Sequence, residues 1–407
     1  MEEREIFRGL AGLEPIQYLA DLPTPGYLID EKIIRENGEC LAAVAAASGA
    51  KILLAQKAFS NYDFYPLLSQ YLAGTEASGL FEARLGREKM PEKEVHVFCG
   101  AYRESEIEEV LRYADHIVFN SPHQLKRFGA RAKAAGKSVG LRINPQHSTQ
   151  DGHGIYDPCA PGSRLGTTRE QFDACMTQEL IALLDGLHFH TLCEQGADDL
   201  LTTWAAVEAG FSDILPKLQW INMGGGHHIT RSDYDRQALI DLVRRVRERW
   251  ALEVYLEPGE AVALNAGYFL SRVLDVVTNG ETQIAMLDAS AACHMPDVLE
   301  MPYQPPLLAA KKAGFAVLPL HHETGAYTYT LGGPTCLSGD VMGAYTFRQP
   351  LREGDLLIFG DMAIYTTCKN NTFNGMPLPA IFRLSESGEI SLLRSFDYQD
   401  FHERLGS

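Results

Sequence analysis

A chain of 407 residues, 45% hydrophobic and 22% charged, is sized for two globular domains. It has no apolar run approaching about 18 residues, so no membrane-spanning helix is expected. A net charge of −17 leaves no basic footprint for nucleic acid, and such a field favours the approach of cationic small molecules.

The start, Met1-Glu-Glu-Arg-Glu5, lacks the apolar segment of a signal peptide. None of the eight cysteines forms a C-x2-C pair. A cytoplasmic protein with reduced thiols is therefore expected. Short apolar runs at 52–56, 75–78, 95–98, 117–119, 139–144, 186–190, 218–223 and 254–257 read as strands. Helical spacing recurs between them at 104–113, 124–135 and 234–250. Strand-helix alternation implies a parallel sheet with crossover helices, and eight units over roughly 230 residues predict an α/β fold, a TIM-type (β/α)8 barrel over 24–266. A doubly wound sheet would place a Gly-rich turn after the first strand, where Gln56-Lys57-Ala58-Phe59 stands instead. From 267 to 407 the period changes. Runs at 283–287, 315–318, 327–331, 356–359 and 381–384, punctuated by Gly332-Gly333-Pro334 and Glu353-Gly354-Asp355, predict a mostly antiparallel β domain on which residues 1–23 pack.

The C-terminal strand ends of such a barrel meet at one mouth. Lys57 follows the first run and His190 closes the sixth. Gly224-Gly225-Gly226-His227-His228 follows the seventh, and Glu257-Pro258-Gly259-Glu260 the eighth. A lysine amine there is a nucleophile for aldehydes, pyridoxal phosphate among them. Alone, Lys57 reads as a surface lysine past a strand, the glycines as a tight turn and Glu-Pro-Gly as a capped loop. Together the four tips suit that cofactor. Glycine backbone N–H groups can wrap a phosphate. Glu257 can keep a pyridine nitrogen protonated, which makes the ring an electron sink, and His190 can stack on its face. In the β domain, the Gly-rich stretch 332–340 carries Cys336, a thiol able to exchange a proton, and Asp340. Phe359-Gly-Asp-Met-Ala-Ile-Tyr365 and Asn371-Thr-Phe-Asn-Gly375 follow. The doublets His227-His228 and His321-His322 are not expected to bind metal, because adjacent strand residues face opposite sides and no third ligand lies at helical spacing.

These motifs, in this order, resemble the fold type III (alanine racemase-like) pyridoxal phosphate decarboxylases, which include ornithine and diaminopimelate decarboxylases. Longer segments resemble the carboxynorspermidine (carboxyspermidine) decarboxylase branch. They are Ile155-Tyr-Asp-Pro-Cys-Ala-Pro-Gly-Ser-Arg-Leu-Gly166, His188-Phe-His-Thr-Leu-Cys-Glu-Gln195, Gly224-Gly-Gly-His-His-Ile-Thr230 and Leu287-Asp-Ala-Ser-Ala-Ala-Cys-His-Met-Pro-Asp-Val-Leu-Glu300. The likeness runs from about residue 24 to 405. It implies that Lys57 forms the Schiff base with pyridoxal 5'-phosphate, that His190 stacks on the ring and that Gly224, Gly225 and Gly226 take the phosphate. It also implies that Glu257 pairs with the ring nitrogen, that Tyr365 lies near the phosphate and that Cys336 reprotonates the carbanion. In the family the cysteine loop reaches the partner subunit's active site, so a homodimer is implied.

Departures from the ornithine and diaminopimelate enzymes are informative. Glu260 stands where those enzymes carry an arginine after Glu-Pro-Gly, and Asp297 and Glu300 lie where diaminopimelate decarboxylase grips a distal carboxylate with arginine. Cys193, beside Glu194, replaces a phosphate-loop serine. Glu260, Asp297, Glu300 and Asp340 are therefore the residues expected to pair with the ammonium groups of a carboxylated polyamine. The alternatives are a decarboxylase or racemase of another basic amino acid and a non-enzymatic carrier of the cofactor.

Overall fold

A computed structural model of the chain describes residues 3–10, 19, 21–150, 157–310, 316–317 and 327–406. His321 and His322, the ends of the run at 315–318, residues 155–156 of the first resembling segment, and residues 1–2, 11–18 and 20 of the N-terminal stretch lie outside them. The chain divides into Arg35–Val262 and a unit made of Met1–Ile34 with Ala263–Ser407.

The first strand, β1 (Gly26–Asp30), belongs to the second unit. The next eight are β2 (Lys51–Ala55), β3 (Gly74–Ala77), β4 (Glu94–Phe98), β5 (His116–Phe119), β6 (Ser138–Arg142), β7 (Gly186–His188), β8 (Trp220–Asn222) and β9 (Glu253–Leu256). They form a closed parallel barrel in which β2 pairs with both β3 and β9. Each expected run overlaps one of these strands. The strands are short and almost wholly buried, as parallel strands covered on both faces must be, so they read as apolar runs without alternation. Leu53, Val118, Trp220 and Tyr255 fill part of the interior. Gly140 and Gly186 make room for the Trp220 indole, which a Cβ at either position would meet at 2.4 and 2.0 Å.

The helix Arg236–Trp250 shows why the crossovers form. Asp235 caps it by accepting a hydrogen bond from Ala238 N at 2.9 Å. Leu239, Leu242, Val243 and Val246 fall on one buried stripe, and the left-handed Ala251 ends it.

The second unit is built on β10 (Gly267–Asn279), with β11 (Thr282–Leu287), β12 (Leu307–Ala310), β13 (Ala316–Val317), β14 (Tyr327–Gly332), β15 (Val341–Phe347), β16 (Leu356–Gly360), β17 (Ala380–Leu384) and β18 (Ile390–Arg394). One path runs β13-β12-β16-β10-β1-β17-β18, and β11, β14 and β15 branch from β10. Most pairs are antiparallel; β1–β17 and β11–β14 are parallel. The boundary expected at residue 24 falls instead at Arg35, because β1 pairs with β10 and β17. Alternation along β1 and β10 sends Tyr27 and Phe269 into one core and Leu28, Tyr268 and Leu270 into another, which also holds Ile6, Phe7 and Leu10.

Candidate active site

Four barrel tips carry the expected residues. Lys57 sits in the turn after β2, half-buried. The turn is fixed through the buried Gln56, whose amide donates to Glu82 O at 2.9 Å and whose Oε1 accepts from the Tyr65 hydroxyl at 3.1 Å. Beyond β7 stands His190. Its Nδ1 accepts the Gly225 N–H at 3.0 Å, which leaves Nε2 as the protonated nitrogen. Desolvation first, then the positive Lys57 and Arg142, push His190 well below the ordinary histidine range. The ring is neutral at pH 7.

The tips of β8 and β9 are locked together. Gly224 and Gly226 have left-handed backbones, and a Cβ on Gly225 would meet the Glu257 carbonyl at 1.9 Å. Gly224 N donates to Asn222 Oδ1 at 2.9 Å, so two of the three glycine N–H groups are engaged within the barrel. Gly226 is the loop glycine whose N–H these bonds do not use.

Glu257 is 6% exposed, accepts from Asn222 Nδ2 at 2.6 Å and lies 3.2 Å from His188 Nε2. Burial opposes its ionisation, but His188, Lys57 and the Asn222 amide outweigh it and hold the carboxyl low, at about 2. Glu76, at the tip of β3, is treated the opposite way. Burial and the charge of Glu257 raise it well above the carboxylate range, and its Oε2 is buried with no hydrogen-bond partner among the described residues. Two carboxyls at one barrel end are thus driven apart, one ionised and one protonated.

Arg142, the last residue of β6, is 4% exposed and donates from Nη2 to His190 O at 2.9 Å. Its guanidinium lies 4.6 Å from the centre of the Phe98 ring. Neither Arg142 nor Glu76 is among the residues expected from the sequence. Both stood inside or beside apolar runs, and the available signal was the charge itself at a strand's C-terminal end.

Glu260 Oε2 lies 3.4 Å from His228 Nε2. His228, one of the doublet, is pushed down to about 4 by burial first and then by Arg231.

The remaining candidates belong to the second unit. Asp340 is 3% exposed and fully occupied. It accepts from Ser290 Oγ at 2.9 Å, Ala292 N at 3.2 Å and Thr335 Oγ1 at 2.7 Å. This clasps the loop carrying Cys336, so Asp340 leaves the set of carboxylates available to a substrate. Cys336 is exposed, and its N–H donates to Asn374 Oδ1 at 2.8 Å. Asp297 and Glu300 both bind Lys369 Nζ, an ammonium not expected beside them from the sequence. Lys369 in turn lies 5.9 Å from the centre of the ring of Tyr365, whose backbone is left-handed.

The donor set at the barrel tips fits pyridoxal phosphate: an amine at Lys57, a buried ionised carboxylate at Glu257, a neutral imidazole and a glycine loop packed too tightly for any side chain. The family described as pyridoxal-dependent decarboxylase, C-terminal sheet domain, matches residues 18–363. The chain is 40% identical over 387 residues to the carboxynorspermidine/carboxyspermidine decarboxylase of Campylobacter jejuni, covering 94% of this chain and 98% of that protein. It is 39% identical over 389 residues to the carboxyaminopropylagmatine decarboxylase of Synechocystis, covering 95% and 97%. Among solved structures it resembles the Campylobacter jejuni carboxynorspermidine decarboxylase complexed with norspermidine, with a TM-score of 0.83, 38% identity, and coverage of 94% of this chain and 100% of that one. The chain belongs to the pyridoxal-dependent decarboxylases, in the branch of the carboxynorspermidine/carboxyspermidine decarboxylases.

Proposed function

We propose that this protein decarboxylates carboxynorspermidine or carboxyspermidine to norspermidine or spermidine. The α-carboxylate leaves as carbon dioxide and one proton takes its place on the same carbon. The observation that carries this reading is 40% identity over nearly the full length of a relative bearing that activity's name. Pyridoxal phosphate, when bound, supplies an electron sink conjugated to the substrate's α-carbon. Lys57 is the amine that would carry it, and the glycine loop, through Gly226, would face its phosphate together with Tyr365. The ionised Glu257 would hold a proton on the ring nitrogen, and the neutral His190 would lie on the ring face, oriented by Gly225 N–H. Cys336 of a second subunit would deliver its Sγ proton to the carbon that has lost carbon dioxide. Its exposure on a loop clasped by Asp340 suits that task, and with it a homodimer.

Glu260 is the barrel carboxylate placed to meet a substrate ammonium. Asp297 and Glu300 retain that assignment as a pair already sharing Lys369, which leaves them one net negative charge. The substrate is therefore a polycationic amino acid rather than nucleic acid. Among the described residues no helix is long and apolar enough to cross a membrane. Cys40, Cys99, Cys159, Cys175, Cys293 and Cys336 are thiols outside any disulfide, which suits the reducing cytoplasm. The 39% identity to a carboxyaminopropylagmatine decarboxylase favours one second reading, the same chemistry on a substrate with a guanidinium tail. The assignment of Lys57 is tested by absorbance and turnover together. Wild-type protein should show the visible-edge band of lysine-bound pyridoxal and release carbon dioxide. Lys57→Ala should lose both, whereas a variant that keeps the band would remove Lys57 from this role.

A further inference from the structure

The opposite end of the barrel holds a second cluster of chemically active side chains that the decarboxylation does not use. Glu94 and His116 are the first residues of β4 and β5, and Lys51 and Glu253 the first of β2 and β9. They therefore sit at the N-terminal strand ends, whereas Lys57 and Glu257 follow the C-terminal ends.

Glu94 and His96, two apart on one strand, face the same way. His96 is the register partner of His116 on the neighbouring strand. The two imidazoles stack with centroids 3.9 Å apart and planes 12° from parallel. That arrangement turns both Nε2 atoms towards one carboxylate oxygen: Glu94 Oε2 lies 2.9 Å from His96 Nε2 and 3.8 Å from His116 Nε2. One ligand atom from each of the three residues lies within 4.8 Å of the others. A tetrahedral ion with bonds of about 2.0–2.1 Å places its ligand atoms roughly 3.3 Å apart, between the two measured separations.

Surrounding groups complete the case. Lys51 Nζ takes the other carboxylate oxygen, Oε1, at 2.6 Å and is held by Glu253 at 2.9 Å. The Tyr255 hydroxyl donates to Glu253 at 2.7 Å and accepts from Lys51 at 3.3 Å. Glu94 is thereby oriented with Oε2 turned to the imidazoles, the kind of outer support that ligating carboxylates have. Nδ1 of His96 and of His116 is buried and has no hydrogen-bond partner among the described residues, so Nε2 is the nitrogen each ring turns to Glu94.

We propose that Glu94, His96 and His116 form a binding site for a four-coordinate divalent ion of the zinc class, with water as fourth ligand, clasping β4 to β5 at the closed end of the barrel. Two imidazoles and one carboxylate are a ligand set such ions take. The end of the barrel away from the chemistry is where a stabilising rather than catalytic ion belongs.

The test uses the holoenzyme, stripped of adventitious metal by a chelator and titrated with Co2+. The wild type should develop the intense visible bands of four-coordinate cobalt. His116→Asn and Glu94→Gln should bind at least about tenfold more weakly and lose the bands, while His116→Asn keeps its rate of carbon dioxide release. Anomalous diffraction at the cobalt edge from wild-type crystals should place a peak among the three side chains, an outcome independent of whether a variant folds. Unchanged bands in both variants, or no peak at this position, would overturn the proposal.

Discussion

Glu257 and Glu76 occupy the same barrel end, yet their neighbours drive them to opposite charge states. Glu257 has a donor on one oxygen and His188 beside the other; Glu76 has one oxygen with no donor among the described residues. Ionised Glu257 is the group that would keep a pyridine nitrogen protonated, so Glu257→Gln should lower kcat by about 10²–10³-fold, the usual scale for removing a preorganised electrostatic partner. Circular dichroism should show the fold intact. A rate within a few-fold of wild type would remove the residue from catalysis. At this scale the sequence was legible wherever a reactive residue ended an apolar run, which is how Lys57, His190 and Glu257 stand out. It was illegible where pairing is made by distant residues. Lys369 reaches Asp297 and Glu300 across some 70 positions, and Ser290 reaches Asp340 across 50, so acids that look available are already paired.

Strands set the reach of those pairs, and they differ in how openly the sequence announces them. The barrel strands are short, apolar and evenly spaced, and each has its own run. β1 and β10 do not announce themselves as partners, because β1 joins a sheet formed by residues more than 230 positions later, with register Gly26 to Leu270. β10 pairs with β1 and β16 along its first half and from Val273 onward with β11, with a register shift between Val273 and Asp275. A bulge of that kind interrupts the alternation that would announce one continuous strand. Behind these strands lies a pH dependence. His294 is fully buried, its Nδ1 accepts Ser290 N–H at 3.2 Å, and its Nε2 lies 3.1 Å from Pro377 O. Burial pushes it from 6.5 down to about 4. Above 6.5 both folded and unfolded forms are neutral and no stability is lost. As pH falls from 6.5 to about 4 the unfolded chain takes up the proton first, so folding weakens by up to roughly 3 kcal/mol from this residue. His227 and His228, also held near 4, act in the same direction in the barrel. Thermal melts should fall across that window and less so in His294→Asn; a midpoint flat from pH 7 to 4 would contradict the assignment.

At the scale of the molecule, the division into a barrel and a β unit separates Lys57 and Glu257 from Cys336 and Tyr365 in the chain. A homodimer in which one subunit's thiol serves the other's lysine makes a direct prediction. Lys57→Ala and Cys336→Ala are each inactive alone, but after dissociation and remixing in equal amounts they should recover roughly a quarter of wild-type activity, since half the dimers are mixed and each has one intact site. No recovery would place both residues in one subunit. The net charge of −17 supports the same substrate class by drawing cations towards the protein. Decarboxylation of a carboxylated polyamine is the reaction assigned to this chain. It is tested most directly by measuring kcat/KM side by side for carboxynorspermidine, carboxyspermidine, carboxyaminopropylagmatine and diaminopimelate. A carboxylated polyamine should be turned over at least about a hundredfold better than diaminopimelate, whose second carboxylate would face acids rather than arginine. Preferred turnover of diaminopimelate, with none of the three polyamine acids, would contradict the account.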